Sequence, residues 1–437
     1  MRAVLALVLL GSACGGDDSD GDSAADADTD TDADTDSDTD SDGDTDTSTE
    51  PVCECADDEA CIPAYGRCIA AGEGEVEVFV EDYGVREIER EGIAVYFPVS
   101  EPGDSTFAFV ADGVDAQDID LYDVTAPSGE ILISEALVGQ DPIGHNGAQF
   151  PGRSVATLLL PNQPAVFVED GQYTVRVTSH RESADVRLWG IRKIDPDLTG
   201  GSLAMNVTFV SLPGIDASTA PTDPELAQIH DRMQAIFDAA GITLGPIRYF
   251  DAAPELGEHE ILDAVTGEDL NENGQADEMD ALLASTAGYP DDGINVFWVT
   301  DAGGIAGGIA GSIPGPPGIN GTLHSGVLVA AHDIFFDAKP RAEVVTYLGT
   351  AIAHEMGHQL GLFHTSDRSG FTQDSLLDTP ECLDTDDTDD DGMISSEECE
   401  GKGGDNLMFF EADFENPAIP VLTPAQAFVL NVNPLVR

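Results

Sequence analysis

The chain is 437 residues long and carries 84 Asp and Glu against 17 Lys and Arg, a formal charge of −67 at pH 7. An excess of this size repels phosphate backbones and excludes nucleic acid as a natural partner. Sixteen of the acids lie between residues 17 and 50 in a tract with no basic residue, so most of the charge belongs elsewhere. The composition outside that tract suits folded protein, and the length allows two or three domains.

Residues 1–13 have the layout of a signal peptide: Arg2, the apolar run Ala3–Leu10, then the small residues Gly11, Ser12 and Ala13. Leu10-Gly11-Ser12-Ala13-Cys14 resembles the lipobox of bacterial lipoproteins, with Gly11 where Leu is usual. The resemblance implies lipidation of Cys14, membrane contact through that anchor alone, and an outer-membrane or cell-surface location. The alternative is plain secretion with Cys14 removed. No other apolar run approaches the roughly 20 residues of a membrane span. Residues 14–50 read as a disordered tether, because the Asp-Thr/Ser-Asp run after Cys14 has no apolar side chain larger than Ala to bury.

Six of the seven Cys remain once Cys14 is set aside, an even number suited to an oxidising compartment. Cys53, Cys55, Cys61 and Cys68 lack the C-x2-C pairs of a zinc knuckle, so residues 51–72 read as a disulfide-closed segment with its pairing open. Cys382 and Cys399 form a natural third pair.

Residues 73–196 look all-β. Strand-like runs recur at Val76–Val80, Ile93–Val99, Thr106–Val110, Ile119–Val124, Ile131–Ile133, Ala156–Leu160, Tyr173–Val177 and Val186–Ile191. Turn signals such as Asp112-Gly113 and Asp170-Gly171 separate them, which predicts an antiparallel sandwich. The phrases Asp120-Leu121-Tyr122-Asp123 and Gly171-Gln172-Tyr173-Thr174-Val175 resemble accessory β-sandwich domains of secreted bacterial peptidases. His145 and His180 have no partners here and read as surface residues.

From residue 197 the pattern becomes mixed α/β. Leu203–Leu212, Ile242–Phe250, Ile294–Thr300 and Ser325–Ala331 read as strands, and Gly303–Gly321 as a loop. Asp223 caps a helix with Pro224 in its first turn and an apolar stripe of Leu226, Ile229, Met233, Ile236 and Phe237. His230 lies off that stripe and is expected to be exposed. Asp269, Asn271, Asn273, Gln275, Asp277 and Asp280 match a twelve-residue calcium loop, with Ala276 and Asp280 where Ile and Glu are usual.

The chemistry concentrates in His354-Glu355-Met356-Gly357-His358-Gln359-Leu360-Gly361-Leu362-Phe363-His364. Val344, Val345, Leu348, Ala351 and Ile352 predict a helix opening at Pro340, so His354 and His358 project from one face. That separation suits one tetrahedral zinc, and Glu355 stands beside it as a general base. Gly361 permits a left-handed exit that returns His364 as third ligand. Three imidazoles leave an open coordination position, whereas structural zinc sites usually have four ligands and favour Cys.

These residues carry the metzincin signature H-E-x-x-H-x-x-G-x-x-H, and the chain from about residue 200 resembles that family. The resemblance implies a Met-turn beneath the zinc at Asp405–Phe410 with Met408 at its centre, an α/β fold with a short mixed sheet, and endopeptidase activity. Gly361-Leu362-Phe363-His364-Thr365, Asp374–Pro380 and the Gly-rich Ala306–Gly315 look like the pappalysin (cytophagalysin-like) branch. It implies that the glycine-rich loop and the following strand line the substrate cleft. Phe410 stands where several metzincins have a Tyr, so oxyanion stabilisation falls to zinc or backbone amides.

Asp387–Glu398 fits an EF-hand loop at every position. Oxygens come from Asp387, Asp389, Asp391, the Met393 carbonyl, Ser395 and Glu398, with Gly392 at the sharp turn and Ile394 inward. The expected fold is therefore multidomain, an all-β sandwich accessory domain followed by an α/β metzincin-like zinc peptidase domain over residues 197–437. The expected function is an extracellular zinc metalloendopeptidase with calcium-stapled insertions, acting on a protein or peptide substrate. The alternative is a calcium-dependent surface adhesion lipoprotein whose peptidase-like domain is non-catalytic.

Overall fold

Among the described residues before Gly201 the regular structure is mostly strand, because short alternating or apolar runs are separated by turn residues. The computed structural model describes residues 53, 55–56, 59–70, 72–113, 119–134, 154–179, 183–212, 214–254, 256, 278–300, 307–331, 341–410 and 416–437. The signal peptide, Cys14, the tether, His145, His180, Pro340, and Asp269, Asn271, Asn273, Gln275 and Asp277 lie outside the described residues.

The cysteine-rich segment is a hairpin of β1 (Glu59–Ile62) and β2 (Arg67–Ala70). Its open pairing becomes Cys53–Cys61 and Cys55–Cys68. Next come β3 (Glu77–Ile88), β4 (Ile93–Tyr96), β5 (Val99–Ser100), β6 (Thr106–Asp112), β7 (Ile119–Thr125) and β8 (Ile131–Ser134). They are followed by β9 (Val155–Leu160), β10 (Gly171–Gln172), β11 (Thr174–Ser179) and β12 (Ala184–Ile194). They build two four-stranded antiparallel sheets, β4-β11-β7-β8 and β3-β12-β6-β9, with β5 and β10 paired separately. Tyr96, Phe107, Phe109, Ile119, Leu158, Val175 and Leu188 fill the space between the sheets.

The second sheet is buried on both faces. Along β6, Phe107, Phe109 and Ala111 point into the sandwich core, whereas Ala108 and Val110 join a second core. Along β9, Ala156, Leu158 and Leu160 do the first, and Val155 and Leu159 the second. This follows from the twofold side-chain period of a strand.

The second core belongs to a five-stranded sheet of β13 (Gly201–Phe209), β14 (Ile242–Asp251), β15 (Gly293–Val299), β16 (Gly308–Ala310) and β17 (Val327–Ala330). The order is β14-β13-β15-β17-β16, parallel except for the antiparallel edge strand β16. Gly303–Gly321 is thus not all loop. Gly308, Ile309 and Ala310 pair with Val329, Leu328 and Val327, and this cross-strand pairing outweighs the low strand propensity of Gly.

Helix α1 (Pro224–Phe237) is capped by Asp223, whose Oδ1 accepts from the Glu225 and Leu226 amides at 2.9 Å each. His230 is not exposed as expected: it is half-buried and stacks on Tyr249 at 6.2 Å, and burial lowers its pKa to about 4. A short helix α2 (Glu278–Ala284) carries Asp280. Helix α3 (Arg341–Leu360) buries Val344, Leu348, Ala351, Ile352, Met356 and Leu360. Helix α4 (Pro424–Val432) closes the fold, and among the described residues no helix is long and apolar enough to cross a membrane.

The described residues from Cys53 to Arg437 belong to one body, and one of its cores spans the sandwich and the five-stranded sheet. Val155, Leu159 and Ile191 from the sandwich pack in the same cluster as Leu360 of α3 and Phe428 and Val429 of α4. Thr106 Oγ1 donates to Val432 O at 2.6 Å, and Arg67 stacks over both Phe167 (4.1 Å) and Phe428 (4.7 Å). Leu159→Ala should cost about 2–5 kcal/mol by leaving a cavity in this shared core. Scanning calorimetry should show it lowering one transition that carries sandwich and sheet together. A sandwich that melts separately would contradict the shared core.

Candidate metal centre

Helix α3 places His354, Glu355 and His358 in its last two turns, all nearly buried. The helix ends at Leu360 because Gly361 turns left-handed at φ 117°, where a Cβ is disfavoured. The Gly361 amide donates to His358 O and the Leu362 amide to Gly357 O, 2.9 Å each, which closes the helix end. The turn brings His364 back onto the other two imidazoles.

Each helical imidazole is oriented by a backbone carbonyl. His354 Nδ1 donates to Leu407 O at 2.6 Å and His358 Nδ1 to Leu362 O at 2.7 Å. With the Nδ1 protons so engaged, both Nε2 atoms present lone pairs. His364 Nε2 lies 3.3 Å from His354 Nε2 and 3.0 Å from His358 Nε2. One proton on His364 can serve only one of these two contacts. A tetrahedral zinc with nitrogen bonds near 2.05 Å separates its ligands by about 3.3 Å. The donor set therefore fits a zinc ion, which His354, His358 and His364 would hold.

Burial keeps the imidazoles neutral. It lowers the pKa of His354 to about 4 and that of His364 to about 3, and it pulls His358 well down, with His364 and His354 adding to the shift. Neutral imidazole is the ligating form. Burial raises the carboxyl of Glu355 to about 8, opposed by a backbone hydrogen bond from Ala310 of the edge strand β16. The edge strand thus runs directly beside the candidate base.

Beneath the histidines, Met408 is fully buried, and its sulfur lies 2.6 Å from where a Cβ on Gly357 would sit. Only glycine at that helix position admits the methionine. Met408 N donates to Asn406 Oδ1 at 2.8 Å, and Thr365 N donates to Met408 O at 3.0 Å. Asn406 and Gln426 exchange amide hydrogen bonds at 2.9 and 3.0 Å, and both are buried. Gln426 also accepts from Thr423 N at 2.9 Å within the capping box of α4. Sequence reading missed this pair, although Thr423-Pro424-Ala425-Gln426 before an apolar run is a capping-box signal.

Cys382 and Cys399 are disulfide-bonded around the acidic loop. Carboxylate oxygens of Asp387, Asp389 and Glu398 come within 4.8 Å of one another. Asp391 Oδ1 instead accepts from Met393 N at 2.9 Å, and Ser395 Oγ donates to Glu398 at 2.9 Å. Hydrogen bonds from Thr388 and Ser395 pull Glu398 down to about 2, while the charge of Asp391 pushes Asp389 up. Ile394 packs inward with the disulfide, Phe409 and Phe410. Phe410 thereby serves the small core that joins this loop to the Met408 turn.

No family model matches the chain, and no curated protein matches it. Among solved structures, archaemetzincin from Methanopyrus kandleri aligns at 18% identity over 38% of this chain and 78% of its own, with a TM-score of 0.24. A zinc-dependent peptidase from Methanocorpusculum labreanum aligns at 12% identity over 38% of this chain and 85% of its own, TM-score 0.20. Bacillus licheniformis lipase BlEst2 in its propeptide form aligns at 13% identity over 30% of this chain and 25% of its own, TM-score 0.17. Overlaps this slight define no shared fold.

The raised pKa of Glu355 has a definite sign in stability. Folding favours its protonated form, so its contribution is full below the ordinary value of 4.5 and is lost as the pH rises through about 8. Gln does not titrate, and the three histidines are common to both proteins. Metal-free Glu355→Gln should therefore out-melt metal-free wild type by a margin that widens from about pH 5 to pH 8. Thermal melts across that range check it, and a constant margin would refute the burial of the carboxyl.

Proposed function

We propose that the chain is an exported zinc metalloendopeptidase of the metzincin type, close to the pappalysin branch. The observation that carries the reading is the meeting of three neutral imidazole nitrogens beside one buried carboxyl. When bound there, zinc polarises a carbonyl oxygen and acidifies a water molecule. Glu355 takes the proton from the attacking water and returns it to the leaving amine. A cation next to Glu355 favours its carboxylate over the protonated form that burial favours in the metal-free chain. Met408 and the Asn406–Gln426 pair keep Leu407 O aimed at His354, and so keep its Nε2 aimed at the metal position.

The substrate in this reading is a protein or peptide outside the cytoplasm, reached from an anchor at Cys14 or after release. Glu355→Gln should lose at least about a hundredfold of the cleavage of gelatin or casein while retaining zinc. Equal cleavage by both proteins would remove Glu355 from the chemistry and favour the adhesion alternative.

The second element of the proposal is calcium in the loop Asp387–Glu398, with the weaker match at Asp269–Asp280 as its companion. Three converging carboxylates repel one another, and a hard divalent cation with oxygen ligands relieves that repulsion. Calcium should raise the melting temperature of the zinc-loaded protein, and EGTA should lower it and speed autolysis. A melting curve indifferent to both would sink the calcium assignment.

A further inference from the structure

Lys193, the last but one residue of strand β12, has a completely buried side chain. A buried ammonium has three donors, and each needs an acceptor. Nζ lies 2.6 Å from Asp195 Oδ2, 2.6 Å from Asn431 O and 3.5 Å from Asn433 O. Two of the three acceptors are thus main-chain carbonyls at the end of α4. Asn433, also fully buried, donates Nδ2 to Leu360 O at 3.0 Å and accepts at Oδ1 from Leu435 N at 3.0 Å.

Leu360 is the last residue of α3, and its carbonyl is one that a helix end leaves without an intrahelical partner. The next residue, Gly361, starts the turn that returns His364. A Cβ on Gly361 would lie 3.2 Å from Leu159 Cδ2 of β9 and 3.4 Å from Val429 Cγ1 of α4. The sandwich therefore reaches the ligand turn twice, through a packed leucine and through a hydrogen-bonded chain from Lys193 by way of Asn433 to Leu360.

We propose that Lys193 is a positioning residue for the metal centre: its ammonium holds the Asn431 carbonyl at 2.6 Å and lies 3.5 Å from that of Asn433, so it steadies the end of α4 from which Asn433 fixes the Leu360 carbonyl where the chain turns to deliver His364. The inference rests on the zinc reading of His354, His358 and His364. Lys193 touches neither metal nor substrate, and its effect is on how tightly His364 closes the site.

The test is zinc affinity by competition with a chromophoric chelator, together with the absorption spectrum of the cobalt(II)-loaded chain and a thermal melt. Lys193→Met and Asn433→Ala should each weaken zinc binding roughly three- to tenfold, less than loss of a ligand's own hydrogen-bond partner, and alter the cobalt spectrum. Leu188→Ala, which thins the inner sandwich core away from α4, should melt lower with zinc affinity and spectrum unchanged. Should Lys193→Met fail to fold, Asn433→Ala carries the same comparison. Wild-type affinity in the folded Lys193 or Asn433 variant would overturn the inference alone. A wild-type chain that takes up no zinc would overturn the metal reading and the inference with it.

Discussion

Two imidazoles that have given their Nδ1 protons to backbone carbonyls have only lone pairs left to turn toward a third ring. That constraint organises the surrounding structure. It requires the Leu407 and Leu362 carbonyls to stand where they do, and hence a turn at Asn406–Met408 and a left-handed exit at Gly361. It also requires neutral rings, which burial secures by disfavouring the charged imidazolium. Packing of α3 against α1, β16 and β17 provides that burial, which also raises the carboxyl of Glu355. Mutual repulsion of the lone pairs is the energetic mark of a place for a cation.

The negative charge of the chain divides in the same spirit. Sixteen acids lie in residues 17–50, and nine more crowd residues 384–400, where the disulfide and the Ile394–Phe409–Phe410 core hold them together. The loop is thereby tied to residues adjoining Met408. The phenyl ring of Phe410 belongs to that small core, which accounts for the missing hydroxyl at this position: a buried phenol there would need its own hydrogen-bond partner.

Local features were legible in the sequence and distant ones were not. His354, His358 and His364 could be placed because a helix turn and one glycine define their geometry within eleven residues. The sandwich strands announced themselves by alternation or by short apolar runs between turn residues. Strand β16 did not, because three residues in a glycine-rich stretch become strand only through pairing with β17. The Asn406–Gln426 pair joins residues twenty apart, and neither amide carries a periodic signal. The helix face of His230 predicts exposure, but the strand that brings Tyr249 against it lies outside that pattern. One clue was present and unused: Thr106–Val110 and Val155–Leu160 are apolar almost without interruption, unlike strands with one face in water. That pattern signals a sheet covered on both sides.

The double burial of β6 and β9 bears on how such a chain can change over evolutionary time. Accessory modules that touch their neighbours lightly can be gained, lost or swapped as cassettes. Here a cut near residue 196 would strip cover from Ala108, Val110, Val155, Leu159 and Ile191 and leave an apolar sheet face in water. The same cut would remove the acceptor side chain of Asp195 and the ammonium that holds the end of α4. Lys193 and Asp195 on one side of that seam and Asn431 on the other satisfy one another only while the two sides stay together, so sandwich and five-stranded sheet share one core. The sandwich is thereby part of the scaffold of the candidate metal centre and not an optional passenger.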